Sequence, residues 1–124
     1  MTLKQLYETI DGDYDSALRV MRIDKLIDKH IRKLPQNPIF AEFAEAGKAL
    51  DGARIFESAH AIKGVCSNLG LIKLAALSSD VCEEFRPGNA RKMTDGEVLE
   101  KIGEIGTLFE KAASGIEKYE REAQ

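Results

Sequence analysis

Apolar residues recur at intervals of three and four along the whole chain, the spacing of helices that bury one stripe. Leu3, Leu6, Tyr7 and Ile10 predict a short first helix, broken by Asp11-Gly12-Asp13. Tyr14 to Leu34 reads as one periodic run, with Leu18, Met21, Ile23, Ile27, Ile31 and Leu34 apolar, a bend near Arg22 and a stop at Pro35. Asn37-Pro38 supplies a cap residue followed by a first-turn proline, and the helix after it uses Ile39, Phe43, Ala46 and Leu50. Asp51-Gly52 is a joint. Ile55, Ala59, Ile62, Cys66 and Leu69 then follow in steps of four, three, four and three, up to the turn signal Asn68-Leu69-Gly70. Leu71, Leu74, Leu77 (or Ser78), Val81 and Phe85 mark the next helix, which ends at Arg86-Pro87-Gly88-Asn89. Thr94 to Glu97 has capping-box spacing. Val98, Ile102, Ile105, Phe109, Ala112, Ile116 and Tyr119 form the last stripe. Gly103, Gly106 and Gly115 interrupt that helix at about 1 kcal/mol each against Ala. Gly106 is expected to admit a close neighbouring helix; the pattern offers no reason for the other two.

No stretch alternates as a half-buried strand does, and short connections between long helices favour antiparallel neighbours. The expectation is an all-α fold, an antiparallel up-down four-helix bundle with additional short N-terminal helices, forming one domain over residues 1–124. Apolar residues make up 44% of the chain, enough for a core. A net charge of −3 with mixed signs argues against a nucleic-acid partner. No run approaches the roughly 18 apolar residues of a membrane helix, so no membrane partner is expected. The chain opens on Met1 directly into a helix pattern without a secretory signal, and its two cysteines are expected to be reduced core residues. These features favour a complete, cytoplasmic protein, and a monomer is the expectation, although the sequence is nearly silent on oligomeric state.

His60 stands one residue past the buried stripe, about 100° around the helix. Its ring should therefore lie at the edge of the core and reach solvent. Lys63 follows one turn on, and Gly64 lies beside both. A neutral imidazole nitrogen is a good nucleophile toward phosphorus. The phosphoryl group it would take carries nearly two negative charges, which Lys63 can offset, while Gly64 removes bulk where a macromolecular donor must approach. Each residue alone has an ordinary explanation. The three in phase point to a phosphoacceptor.

His60-Ala61-Ile62-Lys63-Gly64, followed by Asn68-Leu69-Gly70 and the leucine-bearing helix after it, resembles the histidine-containing phosphotransfer (HPt) family. Leu34-Pro35-Gln36-Asn37-Pro38 and Leu50-Asp51-Gly52 also look like this family, and the resemblance runs from about Tyr14 onward. It implies a four-helix bundle that carries phosphate and has no kinase activity of its own. His60 would accept a phosphoryl group from the aspartyl phosphate of one receiver domain and pass it to another. Lys63 would neutralise the phosphate and Gly64 would clear the approach. The implied partners are response-regulator receiver domains, with a hybrid histidine kinase as a further candidate. The divalent metal would sit in the partner receiver, and this chain would bind no cofactor or metal. Relatives orient the imidazole with a polar side chain on the next helix. Cys82 stands at that place by spacing, with Ser79 or Glu83 as substitutes from the adjoining turn.

Ala61, Val65 and Phe56 flank His60 off the main stripe and are expected to form the receiver-binding patch. His30 reads as a boundary core histidine, Arg54 as a solvated residue or a flank of that patch, and Arg86, Arg91 and Lys92 as a solvated loop. Asp11 to Asp15 begins like a calcium loop, but Ser16 and Arg22 stand where Gly and Glu are required, so the segment reads as a joint and cap. Two alternatives stay open: the phosphoacceptor domain of a chemotaxis-type histidine kinase, and an adaptor that binds receivers without phosphorylation.

Overall fold

The computed structural model describes residues 1–122, and these residues form only helices and their connections. They comprise α1 (Leu3–Thr9), α2 (Tyr14–Met21), α3 (Asp24–Lys33), a 3₁₀ turn (Leu34–Gln36), α4 (Ile39–Ala49), α5 (Gly52–Asn68), α6 (Ile72–Glu84) and α7 (Asp95–Glu122). None is long and apolar enough to cross a membrane among the described residues.

Helix starts follow local hydrogen-bond chemistry. Asp13 accepts from the Ser16 N–H and Asp51 from the Arg54 N–H, which caps α2 and α5. The Thr94 hydroxyl accepts from the Glu97 N–H and the Glu97 carboxylate accepts from the Thr94 N–H, so α7 begins with the expected reciprocal box. An identical device at Thr2 and Gln5 starts α1.

Each of α4 and α6 packs against both α5 and α7. Between them lie Ile55, Ala59, Ile62, Cys66, Leu74, Val81, Ile105, Ala112 and Ile116, all in the buried core. All five positions of the predicted α5 stripe are buried. The N-terminal helices join the same core: Tyr7 donates a buried hydrogen bond to the Leu69 carbonyl at 2.6 Å, and Ile27 and Ile31 are fully enclosed.

Several sequence expectations are corrected. Tyr14–Leu34 is two helices rather than one bent helix, because Arg22 takes φ 78° and closes α2 through its N–H to the Leu18 carbonyl. Ile23, counted in the stripe, consequently lies exposed at the break. On α4 the buried face is Phe40, Phe43, Ala46 and Gly47; Ile39 is half-buried, and Leu50 sits in the left-handed cap with its side chain exposed. The close approach assigned to Gly106 occurs elsewhere. A Cβ on Gly106 would meet nothing within 4 Å, whereas one on Gly115 would lie 2.5 Å from Cγ2 of Ile10, the residue that caps the end of α1. Gly115 is thus required by packing against a helix the pattern did not place there.

Candidate functional site

Midway along α5 the imidazole of His60 is exposed, while the residues one position before it and two after it, Ala59 and Ile62, are fully buried. The ring is held on two sides. Phe56, one turn earlier, stacks on it at 6.0 Å between centroids and 19° between planes. Cys82 of α6 places Sγ 3.9 Å from Nδ1. Nδ1–H can donate weakly to that sulfur, and this tautomer leaves the Nε2 lone pair free. No protein group among the described residues hydrogen-bonds Nε2.

Cys82 is the residue expected to face the ring, and it does so as a thiol. Burial pushes its pKa up, and Glu83 adds to this, against the opposing pull of Arg86 and Lys63. Glu83 does not substitute for it. Its carboxylate takes three hydrogen bonds from Arg86, at 2.9 to 3.1 Å. Those bonds first, and the fields of Arg86 and Lys63 next, hold Glu83 below the usual carboxylate range. Arg86 also lies over the Phe56 ring at 5.3 Å. One layered cluster therefore runs from His60 through Phe56 to Arg86 and Glu83. Cys66 is deeper and inert, its thiol pushed up to about 12 by burial.

Lys63 is half-buried and makes no ion pair among the described residues, so its charge is available to an arriving anion. Gly64 is exposed, and a Cβ there would meet nothing within 4 Å. A mid-helix glycine costs about 1 kcal/mol against Ala, and no neighbour inside the chain requires this one. Gly103 and Gly106 of α7 are equally bare, and Gly64 differs from them in lying one turn from His60. Ala61 and Val65 are half-buried on the side of α5 away from Phe56. Of the three docking residues expected from sequence, Phe56 thus belongs to the ring-holding cluster, while Ala61 and Val65 border the opposite flank.

The remaining candidates move. His30 is exposed, not a core histidine, and lines a hollow with Val65. Arg54 makes a 3.8 Å pair with Glu45. Arg86, Arg91 and Lys92 are not simply solvated. Arg91 donates to Glu84 at 2.9 Å, beside the N–H groups of Lys92 and Met93 at 3.0 and 2.7 Å. Glu84 itself is buried on the flank of the α6 stripe, whereas its exposed neighbour Glu83 lies on the opposite side of the helix. The buried Ser78 hydroxyl has no hydrogen-bond partner among the described residues. Asp11 pairs with Lys111 at 2.6 Å and Asp13 caps α2, which makes their segment a joint. No group of three His, Cys, Asp or Glu side chains among the described residues is placed to hold a metal ion.

No family model, curated protein or solved structure matches this chain.

Proposed function

We propose that this chain is a phosphorelay carrier, an HPt-type domain that accepts a phosphoryl group on His60 from a receiver aspartyl phosphate and returns it to another receiver. The observation that carries the reading is an exposed imidazole with one nitrogen turned to Cys82 and the other unengaged, beside a glycine that no internal contact explains. The ring formed by α4, α5, α6 and α7 supports an antiparallel four-helix bundle, with His60 halfway along one pillar.

In the forward step Nε2 attacks phosphorus in line. The N–P bond forms, the aspartyl C–O–P bond breaks at phosphorus, and the aspartate leaves as carboxylate. The Nδ1 proton stays on the ring throughout, so the phosphorylated imidazole needs no external base. Lys63 faces the nearly two negative charges of the product. Gly64 lets the receiver backbone approach the ring closely enough for an in-line geometry. The return step is the reverse, with a second receiver's aspartate as nucleophile. Metal chemistry belongs to the receiver.

The test is transfer from isolated, radiolabelled phospho-receivers of the source organism to the wild type and to His60→Gln. Acid-labile, base-stable label on the wild type alone supports the carrier. Label from an ATP-fed chemotaxis-type kinase and from no receiver would reassign the chain as that kinase's acceptor domain. Receiver binding without any transfer would make it an adaptor.

A further inference from the structure

The corner between α2 and α3 carries a charge unlike the rest of the molecule. Residues 19–33 contain six Lys or Arg and two Asp in a chain whose net charge is −3. Both acids are engaged internally. Asp24 accepts from the Tyr14 hydroxyl, and Asp28 accepts from Tyr119 and from Arg32. Arg19, Arg22, Lys25, Lys29 and Lys33 are all exposed and make no ion pair among the described residues. The same corner holds Val20, Ile23 and Leu26 at 50%, 52% and 38% exposure, half of the six large apolar side chains exposed among the described residues.

One end of this segment borders the helix that carries His60. A hollow of about 360 Å³ is lined by Met21, His30 and Lys33 on one side and by Val65 and Asn68 of α5 on the other. Gly64 and Asn68 lie within about 80° of His60 around α5. A partner seated over Gly64 therefore stands beside a hollow whose far wall carries Lys33, one of the free cations of the corner.

We infer that the α2–α3 corner is a second docking surface, which receives an acidic, apolar-centred face of the phosphate-donating receiver. The inference rests on the phosphorelay reading, since it identifies the partner by what must stand over His60. The unpaired cations select a partner of opposite charge and speed its encounter. Val20, Ile23 and Leu26 give it an apolar centre with a polar rim. An anionic membrane would also attract such charge, but an interfacial helix needs an apolar face along its length. The regular apolar face of α3, Ile27 and Ile31, is spent on the core.

The experiment compares three folded proteins: the wild type, the combined variant Arg22→Glu, Lys25→Glu, Lys33→Glu, and the variant Val20→Ser, Ile23→Ser. Every changed side chain is exposed, and matching circular dichroism melts establish that the fold is kept. Each is given receiver domains of the source organism phosphorylated with acetyl phosphate. At low receiver concentration the charge-reversed variant should take label at least about tenfold more slowly than the wild type, with the rate at saturating receiver within about twofold. Raising NaCl from about 50 to about 300 mM should slow the wild type several-fold and leave the reversed variant nearly unchanged. The serine variant should be slowed at both salt levels. Equal rates for all three proteins, with His60 labelled, would overturn the docking surface and leave the carrier standing. No label on the wild type from any receiver would overturn the carrier and this inference with it. Co-sedimentation of the wild type, but not of the reversed variant, with phosphatidylglycerol vesicles would reassign the corner to a membrane surface.

Discussion

His60 and Glu84 are ionisable side chains on adjacent helices, and the fold treats them in opposite ways. Glu84 is buried and saturated by a guanidinium and two backbone N–H groups from the segment between α6 and α7. His60 is exposed, leans on an aromatic ring and touches one sulfur at 3.9 Å. A polar group that fastens a structure has all its valences used. A group kept for chemistry is oriented by weak contacts and left incomplete. On the carrier reading proposed above, the difference between the two positions separates a structural role from a reactive one more sharply than residue type does.

Replacing His60 should show the largest functional effect and the smallest structural one. His60→Gln should lose all phosphoryl label while its stability to urea changes by less than about 0.5 kcal/mol; a collapsed melt would mean that His60 belongs to the core after all. Glu84→Gln should invert that result. It loses a charge-assisted clamp and leaves buried partners less well satisfied, so urea unfolding should reveal a loss of about 1–3 kcal/mol with His60 labelling retained.

The pH dependence sharpens the same contrast. Burial alone would raise the Glu84 pKa, but the Met93 N–H, the Arg91 guanidinium and the Lys92 N–H outweigh it and hold the group below the ordinary glutamate range. The folded pKa is therefore lower than the unfolded one. The contribution of Glu84 is complete above the unfolded value of about 4.3 and is lost as pH falls through the lower folded value. Urea titrations of the wild type and Glu84→Gln should accordingly converge as the medium is acidified below about pH 4 and stay apart at neutrality.

Gly64 carries a smaller effect of split sign. Gly64→Ala should gain up to about 1 kcal/mol of stability, because the new methyl meets open space in a helix. Gly64→Gln should keep that fold and slow transfer from a receiver; an unimpaired rate would remove the steric argument for this glycine. Cys82→Ala should do least. A contact to sulfur is worth about 0.5 kcal/mol, so transfer should slow about two- to threefold. A much larger loss at constant melting temperature would show that the thiol does more than orient the ring.

The sequence was most legible where one helix face decides the outcome. The α5 stripe and the exposed edge carrying His60 follow from its four-three spacing, and Thr94 and Glu97 declare the start of α7 by their reach. Features fixed by distant partners were not legible. Arg22 breaks α2 from α3 at a positive φ that a bulky residue rarely adopts, and no glycine marks the place. Helical phase sets Glu84 beside the α6 stripe and Glu83 opposite it, but the fold-back of Arg91 to Met93 that saturates Glu84 has no local signal. The α4 register slipped by one residue at Phe40 because a run of apolar residues offers two faces, and Phe109 of α7, stacked on Phe40 at 3.9 Å, settles which is buried.

Helix α1 and the turn that follows it have partners far along the sequence. Tyr7 bonds to Leu69 across 62 positions, Asp11 to Lys111 across 100, and Ile10 fits the gap left by Gly115. On a ribosome, α1 is made before α7 and is without its full seat until α7 has emerged. Contacts of such separation form late, because chain closure must be achieved before they contribute. Helix α1 is therefore expected to dock late, and it docks by bonding to the carbonyl of Leu69, just past the end of the helix that carries His60.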